Sequence, residues 1–236
     1  MDMLEPHNSG KEDSQELNFD YKKIYFISGL GADQRVFQKL KFSGYQPIHI
    51  QWLEPEINES ISSYAHRLTT QIDLENPIIV GLSFGGIIAI EIAQQISTEK
   101  VILISSTKNQ QEIPGYFKIL RWLPVHRLFP AGLLLWLGKL LASWFFSLET
   151  IDEKKLFRLI LADTNPRFMK WAIDQVINWK NELTPENVYQ IHGTSDRIFP
   201  SRLVREDFQV SQGGHFMVMN RAEQISNLIA KIIESG

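Results

Sequence analysis

Six short apolar runs rich in β-branched residues punctuate the chain: KIYFIS (23–28), PIHI (47–50), PIIVG (77–81), KVILIS (100–105), NVYQIHG (187–193) and DFQV (207–210). Helix-like patterns separate them at about 33–41, 60–73, 83–96 and 220–234. Strands that are apolar without alternation must be covered on both faces, and strands that alternate with helices join in parallel. The pattern therefore predicts an α/β fold with a mostly parallel sheet of about six strands and helices on both faces. The last helix carries the clearest stripe. Ile225, Leu228, Ile229, Ile232 and Ile233 recur at helical spacing, and Asn220 precedes them as a candidate cap.

One crossover is too long for a single helix. About eighty residues without a strand-like run separate Ser105 from Asn187. They hold five of the six tryptophans, and Pro114, Pro124, Pro130 and Pro166 break them into several helices. A helical insertion at about 107–182, within one domain spanning 21–236, accounts for this stretch. Residues 1–20 read differently: six acids against one base make them a polar, flexible tail.

Composition excludes several function classes. The net charge of −3 lacks the basic footprint of a nucleic-acid binder. No cysteine is present, which removes disulfides, thiolate metal sites and a thiol nucleophile. No metal-ligand spacing, nucleotide fingerprint or phosphate loop appears, so no cofactor and no metal are expected. The first residues lack a basic region followed by an apolar run, which makes a cytoplasmic location the default expectation.

The chemistry-bearing residues lie where strands end. Gly81-Leu82-Ser83-Phe84-Gly85-Gly86 follows the buried run PIIV and opens the helical run IIAIEIAQQI. A G-x-S-x-G pentapeptide is weak alone. In a strand–turn–helix setting it becomes a nucleophile elbow, with the serine in a strained turn at the positive end of a helix. A serine hydroxyl needs a base to remove its proton. Of six histidines, His215 in Gly213-Gly214-His215 sits between the final strand and the final helix, at the same sheet edge. The base needs a carboxylate to fix its tautomer, and Asp196 follows the strand NVYQIHG. The loop after the fourth strand, Ser105-Ser106-Thr107-Lys108, offers no acid. Backbone N–H groups of Phe84 and Leu30, with Gly31 as the fallback, would form the oxyanion hole.

Four separated motifs, SGLGAD, GLSFGG, HGTSDRIFP and GGH, make the chain resemble the α/β-hydrolase superfamily from about Lys23 onward, in particular its compact esterase, lipase and thioesterase-like members. The order Ser83, Asp196, His215 is that superfamily's order. Two departures stand out. The oxyanion loop begins Ser28-Gly29 where members often have His-Gly, and the leader is too short for the two antiparallel strands that usually come first. A trimmed sheet of six strands, or seven with an extra edge strand, follows.

The resemblance implies a cofactor-free, carboxylesterase-like serine hydrolase, with the insertion as a helical cap over the pocket. Its substrate would be a lipophilic small-molecule ester or thioester. Three other readings stay open: acyl transfer on the same triad, C–C bond hydrolysis, and a ligand-binding, receptor-like protein on a hydrolase scaffold. From Ile113 to Leu148 the insertion has no acid, and four bases sit among eight aromatics. This suggests mobile helices over Ser83, with Trp136 and Trp144 as acyl-pocket candidates and an apolar substrate, an anionic one included. A second reading of 132–148 is an interfacial segment touching a membrane surface, and a third is a partner surface. The oligomeric state is left open.

Overall fold

A computed structural model describes residues 21–123, 132, 133, 136 and 143–235. The acidic tail and most of the aromatic, basic stretch after Leu123 lie outside the described residues. Six strands form one sheet: β1 (Lys22–Ile27), β2 (Tyr45–His49), β3 (Ile78–Leu82), β4 (Lys100–Ile104), β5 (Val188–Gly193) and β6 (Phe208–Val210). They are ordered 2-1-3-4-5-6, and all five pairings are parallel. The helices among the described residues are α1 (Ile61–Leu68), α2 (Phe84–Ala93), α3 (Gly115–Trp122), α4 (Ile151–Asp163), α5 (Pro166–Asn178), α6 (Met217–Asn220) and α7 (Ala222–Glu234). None of them is long and apolar enough to cross a membrane.

The pleat divides the core into two layers. Ile24, Phe26, Ile78, Val80, Ile102 and Ile104 point to the face covered by the stripe of α7, where Ile225, Ile229, Ile232 and Ile233 are buried. Tyr25, Ile27, Ile79, Val101 and Leu103 point to the other face, covered by α1 and α2. Each buried isoleucine of α7 is worth about 1.5–3 kcal/mol. The same helix is capped at its C-terminal end by a buried lysine: Lys100 Nζ donates to the carbonyls of Ile232, at 2.6 Å, and Ile233, at 3.0 Å. The central helix α2 is buried nearly all round, which explains why its sequence has no polar stripe.

Three local expectations change. The helix expected over 33–41 is a single 3-10 turn, Gln34–Phe37, capped by the Asp33 carboxylate. The chain must leave the helical path to bring Phe42 against Phe26, 4.9 Å between ring centres. The long α1 pattern stops at Leu68 and tightens into a 3-10 turn, Thr69–Gln71. Asn220 does not cap α7. It ends α6, its amide donates to the Ser147 carbonyl, and Arg221 stands at the cap position instead.

Candidate active site

The strand order reverses between β1 and β3, since β2 lies on one side of β1 and every later strand lies on the other. The crevice beyond the carboxyl ends of the strands at such a point is where open α/β sheets bind ligands. The loop after β1 and the turn after β3 both open there.

Ser83 stands between β3 and α2 with φ 53° and ψ −119°, a conformation that side chains rarely adopt. Its surroundings hold it there. Its N–H donates to the Ile104 carbonyl at 2.9 Å, and its carbonyl accepts from Gly86 N–H at 2.9 Å and Ser106 Oγ at 2.6 Å. Close packing explains the flanking glycines: a Cβ on Gly85 would stand 2.3 Å from the carbonyl oxygens of both Ile27 and Ser28.

Ser83 Oγ lies 2.8 Å from His215 Nε2, and His215 Nδ1 lies 2.8 Å from Asp196 Oδ2. Asp196 and His215 are almost fully buried, at 4% and 3% exposure, so their pairing is shielded from solvent. Burial alone would push the Asp196 carboxyl up. The charge and hydrogen bond of His215, the nearby His192 and the Phe199 N–H outweigh it and hold the carboxyl below its ordinary range. The other oxygen of Asp196 accepts from Ile198 N–H, at 2.8 Å, and Phe199 N–H, at 2.9 Å. The loops carrying the acid and the base are stitched together, because Ser195 N–H donates to the Gly213 carbonyl at 2.8 Å. The structure thus brings together the three side chains that the sequence places at the ends of β3, β5 and β6.

The loop after β1 also lies beside the serine. A Cβ on Gly29 would be in ordinary contact with the Cβ of Ser83, at 3.5 Å. The Gly29 carbonyl accepts from Ala32 N–H at 2.9 Å, and Gly31 has φ +69°, as the third position of a type II turn requires. Among the described residues, the N–H groups of Leu30 and Phe84 have no hydrogen-bond acceptor. Both residues line the cavity with Ser83 and His215.

That cavity, about 250 Å³, is apolar. Its aromatic wall is Phe117, Phe146, Phe157, Phe199 and Phe216, and α4 and α5 add Ile160, Leu161, Met169, Ile173 and Val176. Trp136 and Trp144 are not among the lining residues. They are 58% and 57% exposed, and Trp144 lies under the Arg197 guanidinium, 4.7 Å from its ring centre. Among the described residues no lysine or arginine lines the cavity either. The stretch 113–148 supplies only Phe117 and Phe146 of the described wall, and the helices after it supply the larger share.

Several supporting residues have no signal in the sequence. Ser106 braces the carbonyl of Ser83. His192 Nε2 donates to the Phe199 carbonyl at 2.7 Å and lies 3.6 Å from Asp196 Oδ2. Thr164, at the end of α4, donates to the Gly31 carbonyl at 2.8 Å. Only His192, four residues before Asp196 at the end of the same strand, could have been suspected from spacing. Among the described residues no cluster of His, Asp or Glu is arranged to hold a metal ion.

A sequence model of the alpha/beta hydrolase family matches residues 24–228. No curated protein matches the chain by sequence. Solved structures with a similar fold include an esterase from Exiguobacterium antarcticum, 16% identical, with a TM-score of 0.69 over 91% of this chain and 92% of that one. A hydrolase from Pseudomonas aeruginosa is 12% identical, with a TM-score of 0.70 over 92% and 91%. A meta-cleavage product hydrolase from Pseudomonas fluorescens is 19% identical, with a TM-score of 0.63 over 90% of each chain.

Proposed function

The chain belongs to the alpha/beta hydrolase family, and from that membership we propose that it is a serine hydrolase of carboxylic esters or thioesters with an apolar acyl group. The observation that carries the proposal is the continuous relay from Ser83 Oγ through His215 to Asp196, 2.8 Å at each step.

Ser83 Oγ attacks the carbonyl carbon while His215 Nε2 takes its proton, and Asp196 stabilises the imidazolium that forms. The Leu30 and Phe84 N–H groups receive the developing oxyanion. Collapse of the tetrahedral intermediate expels the alcohol or thiol, which takes the proton from His215. Water, deprotonated by the same histidine, then releases the acid and restores Ser83. The acyl group occupies the apolar cavity, and α3, α4 and α5 act as its cap.

Hydrolysis of a C–C bond on the same triad is a second reading. It is less well supported for an acidic substrate, because no described lysine or arginine lines the cavity to receive a carboxylate. A binding role without turnover has no use for a complete relay. The test is turnover of p-nitrophenyl butanoate together with labelling by a fluorophosphonate. Ser83→Ala should abolish labelling and lower turnover by on the order of 10⁴ or more. A variant that keeps its turnover refutes the assignment of the nucleophile, and a folded wild type that neither turns over nor labels refutes the hydrolase reading.

A further inference from the structure

One tryptophan lies outside the long β4–β5 crossover, and it stands beside the oxyanion loop. Trp52 follows β2, and its indole Nε1–H is shared between Ser28 Oγ, at 2.9 Å, and the Ala32 carbonyl, at 3.0 Å. Ser28 Oγ in turn donates to the same Ala32 carbonyl at 2.7 Å. The three groups clamp the two ends of the turn that carries Leu30. The ring of Trp52 does a second thing: it stacks on Phe84, 5.6 Å between centres and 29° between planes, with Phe168 on another side at 5.0 Å. The next residue is latched as well, because Leu53 N–H and its carbonyl both pair with the buried Tyr64 hydroxyl, at 2.9 and 2.8 Å.

One rigid side chain therefore reaches both cavity-lining residues, Phe84 directly by ring contact and Leu30 indirectly, by hydrogen bonds to Ser28 and Ala32 at the two ends of its turn. Trp52 itself does not line the cavity. We propose that Trp52, acting with Ser28, is a positioning residue that fixes the separation of the Leu30 and Phe84 N–H groups and so tunes the oxyanion hole. The proposal rests on the serine-hydrolase reading. It explains how a loop beginning Ser-Gly is held: the serine hydroxyl is the acceptor that the indole needs. Preorganised donors stabilise the transition state only if they are already aimed when charge develops, so their support matters as much as their presence.

Trp52→Phe removes the N–H and keeps an aromatic face against Phe84 and Phe168. It strands no polar group, because Ser28 Oγ and the Ala32 carbonyl still pair with each other. With p-nitrophenyl butanoate, kcat should fall about 10-fold or more, short of the 10²–10³ lost when an oxyanion donor is removed outright. KM should stay within about twofold. Affinity for a trifluoromethyl ketone, whose adduct with Ser83 carries an oxyanion, should fall in parallel with kcat. Ser28→Ala should give the same pattern, and the double variant should be no worse than the poorer single one, since both act through one loop.

Unchanged kcat in a folded Trp52→Phe overturns the proposal. So does a loss in kcat with the ketone affinity unchanged. If Trp52→Phe does not fold, Ser28→Ala decides: wild-type kcat there overturns the clamp, and the parallel loss supports it. Absence of turnover and of fluorophosphonate labelling in the wild type would refute the hydrolase reading, an outcome distinct from failure of the clamp.

Discussion

Replacing Gly85 with alanine would test the geometry of the elbow most directly. The added Cβ would lie 2.3 Å from the carbonyl oxygens of Ile27 and Ser28. An ordinary carbon–oxygen contact is about 3.3 Å, so β1 and α2 must separate locally by about 1 Å. Both obstacles are backbone atoms and neither can rotate away. The displaced atoms belong to the end of β1, which carries the Leu30 loop, or to the start of α2, which carries the Phe84 N–H. A misplacement of about 1 Å in a positioned site lowers rate by about 10². Overpacking of this kind destabilises by about 1–3 kcal/mol. In a chain of this size each kcal/mol shifts Tm by about 2–4 °C, so a fall of about 2–12 °C is expected. The assay pairs kcat on p-nitrophenyl butanoate with a thermal melt. Gly115→Ala is the control: its Cβ would meet nothing within 4 Å, at the first residue of α3. That change should leave kcat alone and hold or raise Tm. A Gly85→Ala protein with wild-type kcat and a Tm within about 1 °C would refute the close approach on which the site geometry rests.

Other consequences can be measured alongside. Ile173→Phe fills cavity space worth about two methylenes, at about 0.8 kcal/mol each, so the octanoate-to-acetate ratio of kcat/KM should fall about 10-fold, whereas Trp144→Ala should leave that ratio unchanged; the opposite ranking would refute the assigned wall. A terminal carboxylate on the acyl chain meets no lysine or arginine among the described cavity residues and its desolvation costs several kcal/mol, so the mono-p-nitrophenyl ester of a dicarboxylic acid should react at least about 10²-fold more slowly than its neutral analogue, and parity would refute an apolar wall around the acyl chain. The Asp196 carboxyl is held below its ordinary range, so its contribution to stability is full above about pH 4 and is lost as pH falls through the folded-state value. Asp196→Asn should then lose less Tm than the wild type between pH 5 and pH 3 in parallel melts, and equal losses would refute the depressed pKa. Trp179→Phe leaves the buried Glu91, whose Oε1 now accepts the indole N–H at 2.7 Å, without that donor; stability should drop by about 1–3 kcal/mol with kcat unchanged, and an unshifted melt would refute the bond.

What the sequence revealed tracks how local each signal is. Every strand was legible, because a strand buried on both faces has little room for polar residues, and PIIVG or KVILIS allow few other placements. Ser83 was legible because its strain is written into one hexapeptide. Asp196 and His215 follow from topology, since a loop after a parallel strand opens at the same edge as Ser83. The pocket wall was not legible. Phe157 and Ile173 belong to helices whose sequences look like any amphipathic helix, and only the folded arrangement brings them to line the same cavity as Ser83. Trp136 and Trp144 drew attention by composition, yet a tryptophan in an apolar run carries no sign of which way it faces. Trp52 was invisible for another reason: its hydrogen-bond partners are 20 and 24 positions away in the chain.

The bases of the insertion show why composition alone does not assign the substrate's charge. A cluster of arginines and lysines without acids raises a positive potential only if the charges are free to face the ligand. Arg121 is already committed: it donates to the carbonyls of Ile177, at 2.8 Å, and Trp179, at 2.9 Å, and so caps the end of α5. Arg197, beyond the insertion, does the equivalent, donating to the Trp144 carbonyl at 2.7 Å while covering its ring. In both places a guanidinium joins backbone segments, and neither arginine lines the cavity. Arg127 and Lys139 lie outside the described residues. Among the described residues, the wall offers a substrate hydrocarbon, the Ser83–His215 pair and the backbone of Leu30 and Phe84. Selectivity in such a site comes from what cannot be hydrated inside it. On the serine-hydrolase reading proposed above, the described wall favours an acyl group that is neutral along the length that enters, with any charge on the leaving-group side, where it can stay in water.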